Sequence, residues 1–266
     1  MKFICFLILI YSVCILASEN DSGSYRYSES QKQAIFTNAV KIAAEHGGAF
    51  HVSPKAIPPY QYSSQVDYEE YRKETCAEIR KQIRWREKNQ HSGLTTSLNA
   101  ADRVQLPKEV DRRADDVVTP VRNQGQCGSC WAFALLACME TAVAINCGKL
   151  EDLSEQDLMN CNPNGDNCYG GYVSDLELYR TQGAVLEVDE PYQAAAGTCR
   201  DNPRQYKISS WREYMFDQNS VCVYGPDGLA EDTVEDMDTI VKESIIKYGS
   251  CFVTTTIDDS FKAYSD

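Results

Sequence analysis

The sequence has little histidine, no excess of positive charge and no apolar run long enough to cross a membrane. Its 266 residues include 26 Lys and Arg against 39 Asp and Glu, so a nucleic-acid partner is not expected, because phosphate binding needs a basic face. The longest apolar run, Phe3 to Leu16, is too short to span a bilayer. The three histidines are His46, His51 and His91, and no imidazole follows His91.

The first residues have the layout of a secretory signal peptide. Lys2 precedes the apolar run, and the small residues Ala17 and Ser18 lead into a polar stretch. We therefore expect residues 1–17 to be removed when the chain enters the secretory pathway. No membrane association is expected after that removal.

The negative charge of the chain is confined to its second part. Residues 106–266 have 28 acidic and 13 basic side chains, a net charge of −15, whereas residues 18–105 have 11 and 12, a net charge of +1. Acidity favours solubility, and it also suits an acidic vesicle, where partial protonation relieves the repulsion between carboxylates. The basic segment 72–88 fits a solvated helix face, and in a precursor it could instead dock on the acidic part.

Apolar periodicity and helix-capping residues divide the chain into a short series of elements. The helix that begins at Cys130 is apolar on most sides and is expected to be buried. Ser154, followed three residues later by Asp157, is typical of a helix N-cap. The polar linker 91–107 is the expected processing site. The pattern predicts helices over residues 30–46, 68–89, 130–146, 154–161, 172–181 and 233–248, and a strand over 251–257.

The sequence has twelve cysteines, and a chain that enters the secretory pathway meets an oxidising compartment in which disulfides form. Cys5 and Cys14 leave with the signal peptide, and Cys76 stands alone in the next segment. Nine cysteines remain from Cys127 to Cys251, and this odd number indicates a free thiol or a partner outside the chain.

The segment NQGQCGSCWAFA places Cys127 and Cys130 three residues apart, immediately before the apolar helix. That spacing alone permits a redox pair, a metal site or a nucleophile. A sulfur at the first turn of a helix faces backbone N–H groups and the positive end of the helix dipole, which favours a nucleophilic thiolate at Cys130. The backbone N–H of Cys130 and the side-chain amide of Gln124 could then stabilise an oxyanion.

Three segments together resemble precursors of the papain-like cysteine proteases. They are LPKEVDRRADDVVTPVRNQGQCGSCWAFA, LSEQDLMNCNPNGDNCYGGY and EPYQAAAGTC, and Cys-Gly-Ser-Cys-Trp is a signature of that family. The resemblance spans about residues 30–266 and is loose before residue 106. It implies an α+β fold with two lobes, the helical left lobe complete and the strand-rich right lobe incomplete. The implied domains are a signal peptide (1–17), a prosegment (18–105) and a peptidase domain (106–266).

The resemblance also implies roles for individual residues. Cys130 is the expected nucleophile and Gln124 the oxyanion donor. The implied disulfides are Cys127–Cys168 and Cys161–Cys199. The expected partners are peptide or protein substrates and the chain's own prosegment, which acts as an intramolecular inhibitor, and no metal or organic cofactor is implied. The expected destination is the lysosome or the extracellular space.

Two glycines and a tyrosine are the expected substrate-binding residues. By the resemblance, Gly170 and Gly171 hydrogen-bond an extended peptide through their backbones, and Tyr172 edges the principal specificity pocket. Taken alone, the glycines also fit a tight turn, and Tyr172 fits ordinary helix packing.

The remaining cysteines after residue 127 have no pairing in the family motifs. Cys138 and Cys147 lie nine residues apart on one helix, so they point to opposite faces and cannot bond each other. Cys138 is expected to be a core thiol. A bridge from Cys222 to Cys251 or to Cys147 is an open alternative.

The family's catalytic His and Asn are missing from this sequence. They are expected roughly 130 to 150 residues after the nucleophile, a window that opens at about residue 260. We therefore expect the sequence to stop within the peptidase domain, before both residues. One alternative is a catalytically inactive, truncated paralogue that binds peptides or proteases. The other is a thiol–disulfide oxidoreductase that uses Cys127 and Cys130, which a Cys127–Cys168 bond would exclude.

Overall fold

The computed structural model describes residues 25–45, 47–48, 51–57, 60–61, 68–88, 105–217, 220–225, 228–232, 237–253 and residue 263. Two 3₁₀ helices, Arg112–Asp115 and Val173–Leu176, supplement the regular elements. In chain order these elements are β1 (Tyr25–Arg26), α1 (Glu29–Glu45), β2 (Tyr60–Gln61), α2 (Tyr68–Lys88), α3 (Cys130–Cys147), α4 (Glu155–Cys161), α5 (Glu177–Thr181), β3 (Glu213–Asp217), β4 (Ser220–Gly225), β5 (Gly228–Asp232) and α6 (Met237–Tyr248).

Helix α3 is the central helix of a helical lobe. Its buried side chains lie on most of its faces, which confirms the expectation from its apolar composition. Leu158 of α4 and Tyr179 of α5, both fully buried, belong to the same core. Within the described ranges α3 is the one helix long and apolar enough to cross a membrane. Because it is mostly enclosed by the protein, it is a core helix.

The ends of α3 and α4 follow local capping chemistry. The Ser154 hydroxyl accepts a hydrogen bond from the backbone N–H of Asp157 at 2.9 Å, so the predicted N-cap of α4 is confirmed. Helix α3 ends at Gly148, which adopts a left-handed conformation with φ of 65° and donates its N–H to the Ala144 carbonyl. These caps fix the lengths of the two helices that carry most of the core.

Helix α6 is attached to the lobe at its C-terminal end. The Arg112 guanidinium donates to the carbonyls of Ile245 and Ile246 at 3.1 and 2.8 Å, in the last turn of the helix, where the Ile245 carbonyl also accepts from the Gly249 N–H at 3.0 Å. Gly249 ends the helix, as predicted, with φ of 90°. A Cβ atom there would lie 2.3 Å from Cδ1 of Ile145, so only glycine permits this approach to α3.

A three-stranded antiparallel sheet occupies a segment for which the sequence pattern predicted no strands. Its order is β3-β4-β5, with Tyr214 opposite Val223 and Val223 opposite Ala230. Helix α2 packs against all three strands. The predicted strand 251–257 is not formed over residues 251–253, and its other residues lie outside the described part.

The segment before residue 105 contacts the C-terminal part of the chain. Ile35 and Ala39 of α1 are buried in one cluster with Tyr27, Ile57 and Ala263. The Ser53 N–H donates to the Ala263 carbonyl at 2.6 Å. The two sequence regions therefore share a small core, and the architecture is α+β, as expected.

Candidate active site

The loop that leads into α3 is shaped by its own polar groups. The Gly125 N–H donates to Oδ1 of Asn123 at 2.9 Å, and Gly125 has a positive φ of 63°. The buried side chain of Gln124 donates from Nε2 to the Cys127 carbonyl at 2.8 Å. An amide nitrogen carries two hydrogens, so one donor of Gln124 remains for a ligand.

A disulfide joins this loop to the glycine-rich segment that follows α4, residues 165–172, which we call the glycine segment. Cys127 is bonded to Cys168 with an S–S distance of 2.03 Å, and the Gly128 N–H donates to the Cys168 carbonyl at 3.0 Å. A Cβ atom on Gly128 would lie 2.4 Å from that carbonyl oxygen, so glycine is required there. This pairing is the one that the family resemblance implies, and so is the second disulfide, Cys161–Cys199.

The Cys127–Cys168 bond excludes a redox pair of Cys127 and Cys130. A redox pair of Cys127 and Cys130 requires both sulfurs to exchange with each other, and Cys127 is already engaged. The interpretation as a thiol–disulfide oxidoreductase is therefore wrong. A zinc site at Cys127 is excluded for the same reason, and within the described ranges no group of three His, Cys, Asp or Glu side chains is placed to hold a metal ion.

Cys130 is the first residue of α3 and is 2% exposed. Its backbone thus lies where helical N–H groups point outward. The sulfur of Cys130 is in a disulfide in this structure, so a nucleophilic thiol exists only after reduction.

Tyr192 contacts both ends of the loop that precedes α3, at Gln124 and at Ser129. Its hydroxyl donates to the Gln124 carbonyl at 2.8 Å and lies 2.5 Å from Oγ of Ser129. A phenol has one hydrogen, so Ser129 is the donor in the second contact. The ring packs edge-on against Phe133 at 4.8 Å between centroids. Sequence reasoning missed this residue because its partners lie 63 and 68 residues away, and no local pattern reports such contacts.

The glycine segment packs against Trp131 and accepts a hydrogen bond from it. Its indole Nε1 donates to the Asn167 carbonyl at 2.9 Å, and the Gly170 N–H donates to the same carbonyl at 3.3 Å. The N–H of Gly170, which has φ of 121°, is thus engaged within a turn rather than facing a substrate. A Cβ atom on Gly171 would lie 2.4 Å from Cδ2 of Trp131, so the backbone rests directly on the indole ring.

Tyr172, half-buried, is held by a buried carboxyl group. Its backbone N–H donates to Oδ2 of Asp175 at 3.0 Å, and the amide of Asn164 donates to the other oxygen at 2.7 Å. Burial, together with the neighbouring carboxyl of Asp166, raises the pKa of Asp175 to about 8. The anchor of the segment is thus a carboxyl group that readily holds a proton.

A buried charge cluster lies two residues before Gln124. Nη1 of Arg122 is 2.9 Å from Glu140 and 2.8 Å from Glu155, whose side chains are 0% and 1% exposed. One half-buried cation therefore faces two buried carboxyl groups, and its Nη2 is 2.7 Å from the exposed carboxylate of Asp152. Burial raises the pKa of Glu155 to about 8, against the opposing effect of Arg122. Burial also raises the pKa of Glu140, against the opposing effects of Arg122 and of the Leu153 N–H, which donates to Glu140 at 2.9 Å.

The other cysteines of the described part after residue 105 are reduced. Cys138, Cys147 and Cys251 form no disulfide, so the alternative bridges from Cys222 to Cys251 or Cys147 are wrong. Cys138 is half-buried rather than in the core, and burial of its sulfur raises the pKa of the thiol to about 11, which makes it unreactive.

Comparison with known proteins assigns the family. The model of the papain family cysteine proteases matches residues 106–266. The chain belongs to this family. It is 48% identical to caricain from Carica papaya over 100 residues, which cover 37% of this chain and 29% of caricain. It is 44% identical to procathepsin L from Rattus norvegicus over 101 residues, which cover 36% of this chain and 30% of that protein. The chain thus spans less than a third of these papain-family relatives.

Solved structures of the family overlap only in part with this chain. A recombinant stem bromelain precursor has a TM-score of 0.47 and 25% identity, covering 71% of this chain and 60% of that one. A cysteine protease from Carica candamarcensis has a TM-score of 0.37 and 36% identity, covering 39% of this chain and 51% of that one.

Proposed function

We propose that this chain is the precursor form of a papain-like cysteine endopeptidase, with Cys130 as its nucleophile. The observation that supports this most is the position of Cys130. It is the first residue of a buried helix, the Gln124 amide in the preceding loop donates to the Cys127 carbonyl, and the Cys127–Cys168 disulfide fastens that loop to the glycine segment. Catalysis by acyl transfer needs a thiolate and fixed hydrogen-bond donors to the oxyanion.

The reaction that these residues would perform is peptide hydrolysis through a thioester. The Cys130 thiolate attacks the peptide carbonyl carbon, and the carbonyl oxygen becomes an oxyanion. The second N–H of Gln124 and the backbone N–H of Cys130 stabilise that charge. The C–N bond then breaks as an acid protonates the leaving amine. Water cleaves the thioester, which releases the carboxylic acid and restores the thiol.

The general acid and base of this reaction are not among the described residues. No histidine occurs between residues 131 and 266. His51 is exposed, and His46 and His91 lie outside the described part. A second candidate function is a catalytically inactive paralogue that binds peptides or proteases.

A peptide substrate would lie along the glycine segment. Gly170 and Gly171 are the candidate backbone contacts, and in this structure the N–H of Gly170 donates to the Asn167 carbonyl. Tyr172, which follows Gly171 and is held by Asp175, is the candidate residue at the edge of the specificity pocket. An extended peptide aligned by backbone hydrogen bonds explains why glycine, which has no side chain to obstruct the approach, occupies these positions.

Residues 18–105 would form the inhibitory prosegment and residues 1–17 the signal peptide, with residues 106–266 as the peptidase domain. Two contacts support a docked prosegment. Helix α1 shares a buried cluster with Ala263, and α2 packs on the β3-β4-β5 sheet. Disulfides and the signal sequence support a secretory route to the lysosome or the extracellular space.

The test is expression of residues 18–266, reduction, removal of the prosegment at acidic pH, and assay with a fluorogenic peptide and an epoxide probe. Probe labelling and turnover that are lost in Cys130→Ala would support the endopeptidase. The same chain with a His- and Asn-bearing C-terminal segment from a family member provides the comparison. If neither chain is labelled or turns over substrate while both bind the peptide, the non-catalytic candidate is correct.

A further inference from the structure

The Tyr192 hydroxyl bridges the two stretches of chain that carry the proposed oxyanion donors. It donates to the backbone carbonyl of Gln124 at 2.8 Å and accepts from Oγ of Ser129 at 2.5 Å. Gln124 supplies one proposed donor from its side chain, and Ser129 directly precedes Cys130, whose backbone N–H is the other. Both contacts are one step removed from the donor groups, so they bear on where those groups lie.

The second half of the loop is held by a different element. The Cys127–Cys168 disulfide and the hydrogen bond from the Gly128 N–H to the Cys168 carbonyl fasten it to the glycine segment. Gln124 precedes that anchor by three residues, and its Nε2 donates to the Cys127 carbonyl at 2.8 Å. The tip of the Gln124 side chain is thus attached to the disulfide-bonded half of the loop, whereas its backbone is attached to Tyr192.

Tyr192 lies on a segment that is itself fixed to the core. Its backbone N–H donates to Oε1 of Glu187 at 2.7 Å. Gln156 of α4, 1% exposed, accepts from the Gln193 N–H and donates to the Ala195 carbonyl, both at 2.9 Å. These contacts do not involve the loop before α3, so residues 192–195 form a rigid support for it.

The amide of Gln124 depends on the placement of its own backbone. Among the described residues, Oε1 of Gln124 is buried and accepts no hydrogen bond, so the amide is anchored through Nε2 alone. One hydrogen bond leaves the amide free to pivot about that contact, and the position of the backbone then decides its direction. A catalytic donor has to be held to within about 0.5 Å of its productive position.

We propose that Tyr192 is a positioning residue of the oxyanion site, whose hydroxyl fixes the Gln124 backbone and thereby aims the Gln124 amide. The effect on reaction rate rests on the proposed function, whereas the positioning of the amide does not depend on catalysis. Loss of the hydroxyl should slow reactions that pass through an oxyanion by about 10-fold, because a displaced donor stabilises the charge less well.

The first measurement observes the amide directly and needs no catalysis. Residues 18–266 are labelled with ¹⁵N, and the side-chain N–H signals of Gln124 are identified by their loss in Gln124→Ala. Tyr192→Phe keeps the ring and its edge-on contact with Phe133 and removes only the hydroxyl. In that variant the Gln124 side-chain hydrogens should exchange with solvent about 5- to 10-fold faster, because the hydrogen bond that places the residue is lost.

Tyr179→Phe is the matched control for this measurement. It removes another phenol hydroxyl of the same lobe, one that donates to the Ser154 carbonyl at 3.4 Å, far along the chain from the loop. Exchange of the Gln124 hydrogens should be unchanged in this variant. Equal exchange in Tyr192→Phe and the unsubstituted protein would overturn the proposal, and equally accelerated exchange in both variants would do so too.

The second measurement follows the proposed chemistry. With the protein reduced and its prosegment removed, the Cys130 thiolate attacks a p-nitrophenyl ester, and nitrophenolate leaves with the electron pair of the broken C–O bond. The burst rate should fall by about 10-fold in Tyr192→Phe. Alkylation of Cys130 by iodoacetamide forms no oxyanion and should keep its rate. Equal losses in both rates would show that the hydroxyl has only a structural role.

A double-mutant cycle shows whether Tyr192 acts through Gln124. Once Gln124→Ala has removed the amide, Tyr192→Phe should cause no further loss of the burst rate. A full additional loss in the double variant would mean that the hydroxyl acts by another route, and the proposal would then be wrong.

The two measurements separate this inference from the proposed function. Faster exchange in Tyr192→Phe, with no burst from the unsubstituted protein, would refute the endopeptidase and leave the positioning of the amide standing. A burst that is equally fast in the unsubstituted protein and in Tyr192→Phe would support the endopeptidase and overturn the role of Tyr192.

Discussion

Trp131 and Gly171 are in direct contact, and the indole ring occupies the space that any side chain at residue 171 would need. A Cβ atom added to Gly171 would lie 2.4 to 2.6 Å from three ring atoms. Trp131 follows the proposed nucleophile, and Gly171 belongs to the proposed substrate-binding segment. The contact therefore fixes the separation between the start of α3, which carries the proposed nucleophile, and the glycine segment.

Gly171→Ala should lower the free energy of unfolding by about 1–3 kcal/mol, because the ring or the backbone must shift to admit the methyl group. Urea unfolding followed by tryptophan fluorescence and circular dichroism measures this change. The control is a double-mutant cycle with Trp131→Leu, in which the smaller side chain makes room for the methyl group. An equal cost in both backgrounds would show that crowding against Trp131 is not the cause.

The Arg122 cluster should make the protein more stable at acidic pH. The pKa of Glu155 is raised to about 8 in the folded state, so the folded protein binds this proton more tightly than the unfolded chain. The resulting stability is complete below the unfolded pKa of about 4.3 and is lost as the pH rises towards 8. We expect the free energy of unfolding to fall by about 3 kcal/mol between pH 5 and pH 8 because of Glu155 alone.

Urea titrations at pH 5, 6, 7 and 8 provide this measurement. Glu155→Gln, which mimics the protonated carboxyl group, should flatten the dependence. Asp189→Asn is the matched control, since Asp189 is exposed and should leave the slope unchanged. A Glu155→Gln profile parallel to that of the unsubstituted protein would show that Glu155 is ionised throughout.

The sequence predicted the elements whose stabilising interactions are local. Helix α3 is long and mostly apolar, and α4 has a serine at its N-cap. Both features act within a few residues and were recognised to within one residue of the observed bounds. The loop from Asn123 to Cys130 was identified instead by its match to the family motif, although Cys127 and Gly128 make their contacts with Cys168, at a sequence separation of 41 residues from Cys127.

What the sequence did not predict depends on distant contacts. Tyr192 acts on residues more than 60 positions away. The β3-β4-β5 sheet was missed because its strands are short and do not alternate cleanly between apolar and polar residues. Pro226-Asp227-Gly228 is a turn signal that could have located one connection. The engagement of Gly170 by Asn167 follows from the turn itself and could not be read from two adjacent glycines.

Removal of the Cys127–Cys168 disulfide should destabilise the lobe. The bond closes a loop with a sequence separation of 41 residues, so Cys127→Ala combined with Cys168→Ala should cost roughly 2–5 kcal/mol. The free energy of unfolding in urea without reductant measures this loss. Cys147→Ala, which removes an exposed thiol, should change the stability by less than about 0.5 kcal/mol. Equal stability of the double variant and the Cys147→Ala control would mean that the bond does not constrain the unfolded chain.

Gln124 should accelerate reactions that pass through an oxyanion and leave other reactions of Cys130 unchanged. With the protein reduced and its prosegment removed, a p-nitrophenyl ester should acylate Cys130 with a burst of nitrophenol. This leaving group needs no protonation, so the experiment does not depend on a catalytic histidine. In Gln124→Ala the burst rate should fall by about 10²-fold, because one fixed donor to the oxyanion is lost.

The matched measurement is alkylation of the same thiol by iodoacetamide. This displacement at a saturated carbon forms no oxyanion, so its rate should be the same in Gln124→Ala and in the unsubstituted protein. The contact from Nε2 to the Cys127 carbonyl is lost in the variant, and a shift of the loop would slow both reactions together. Equal losses in the two rates would assign Gln124 a structural role, and an unchanged burst rate would remove it from the proposed oxyanion site.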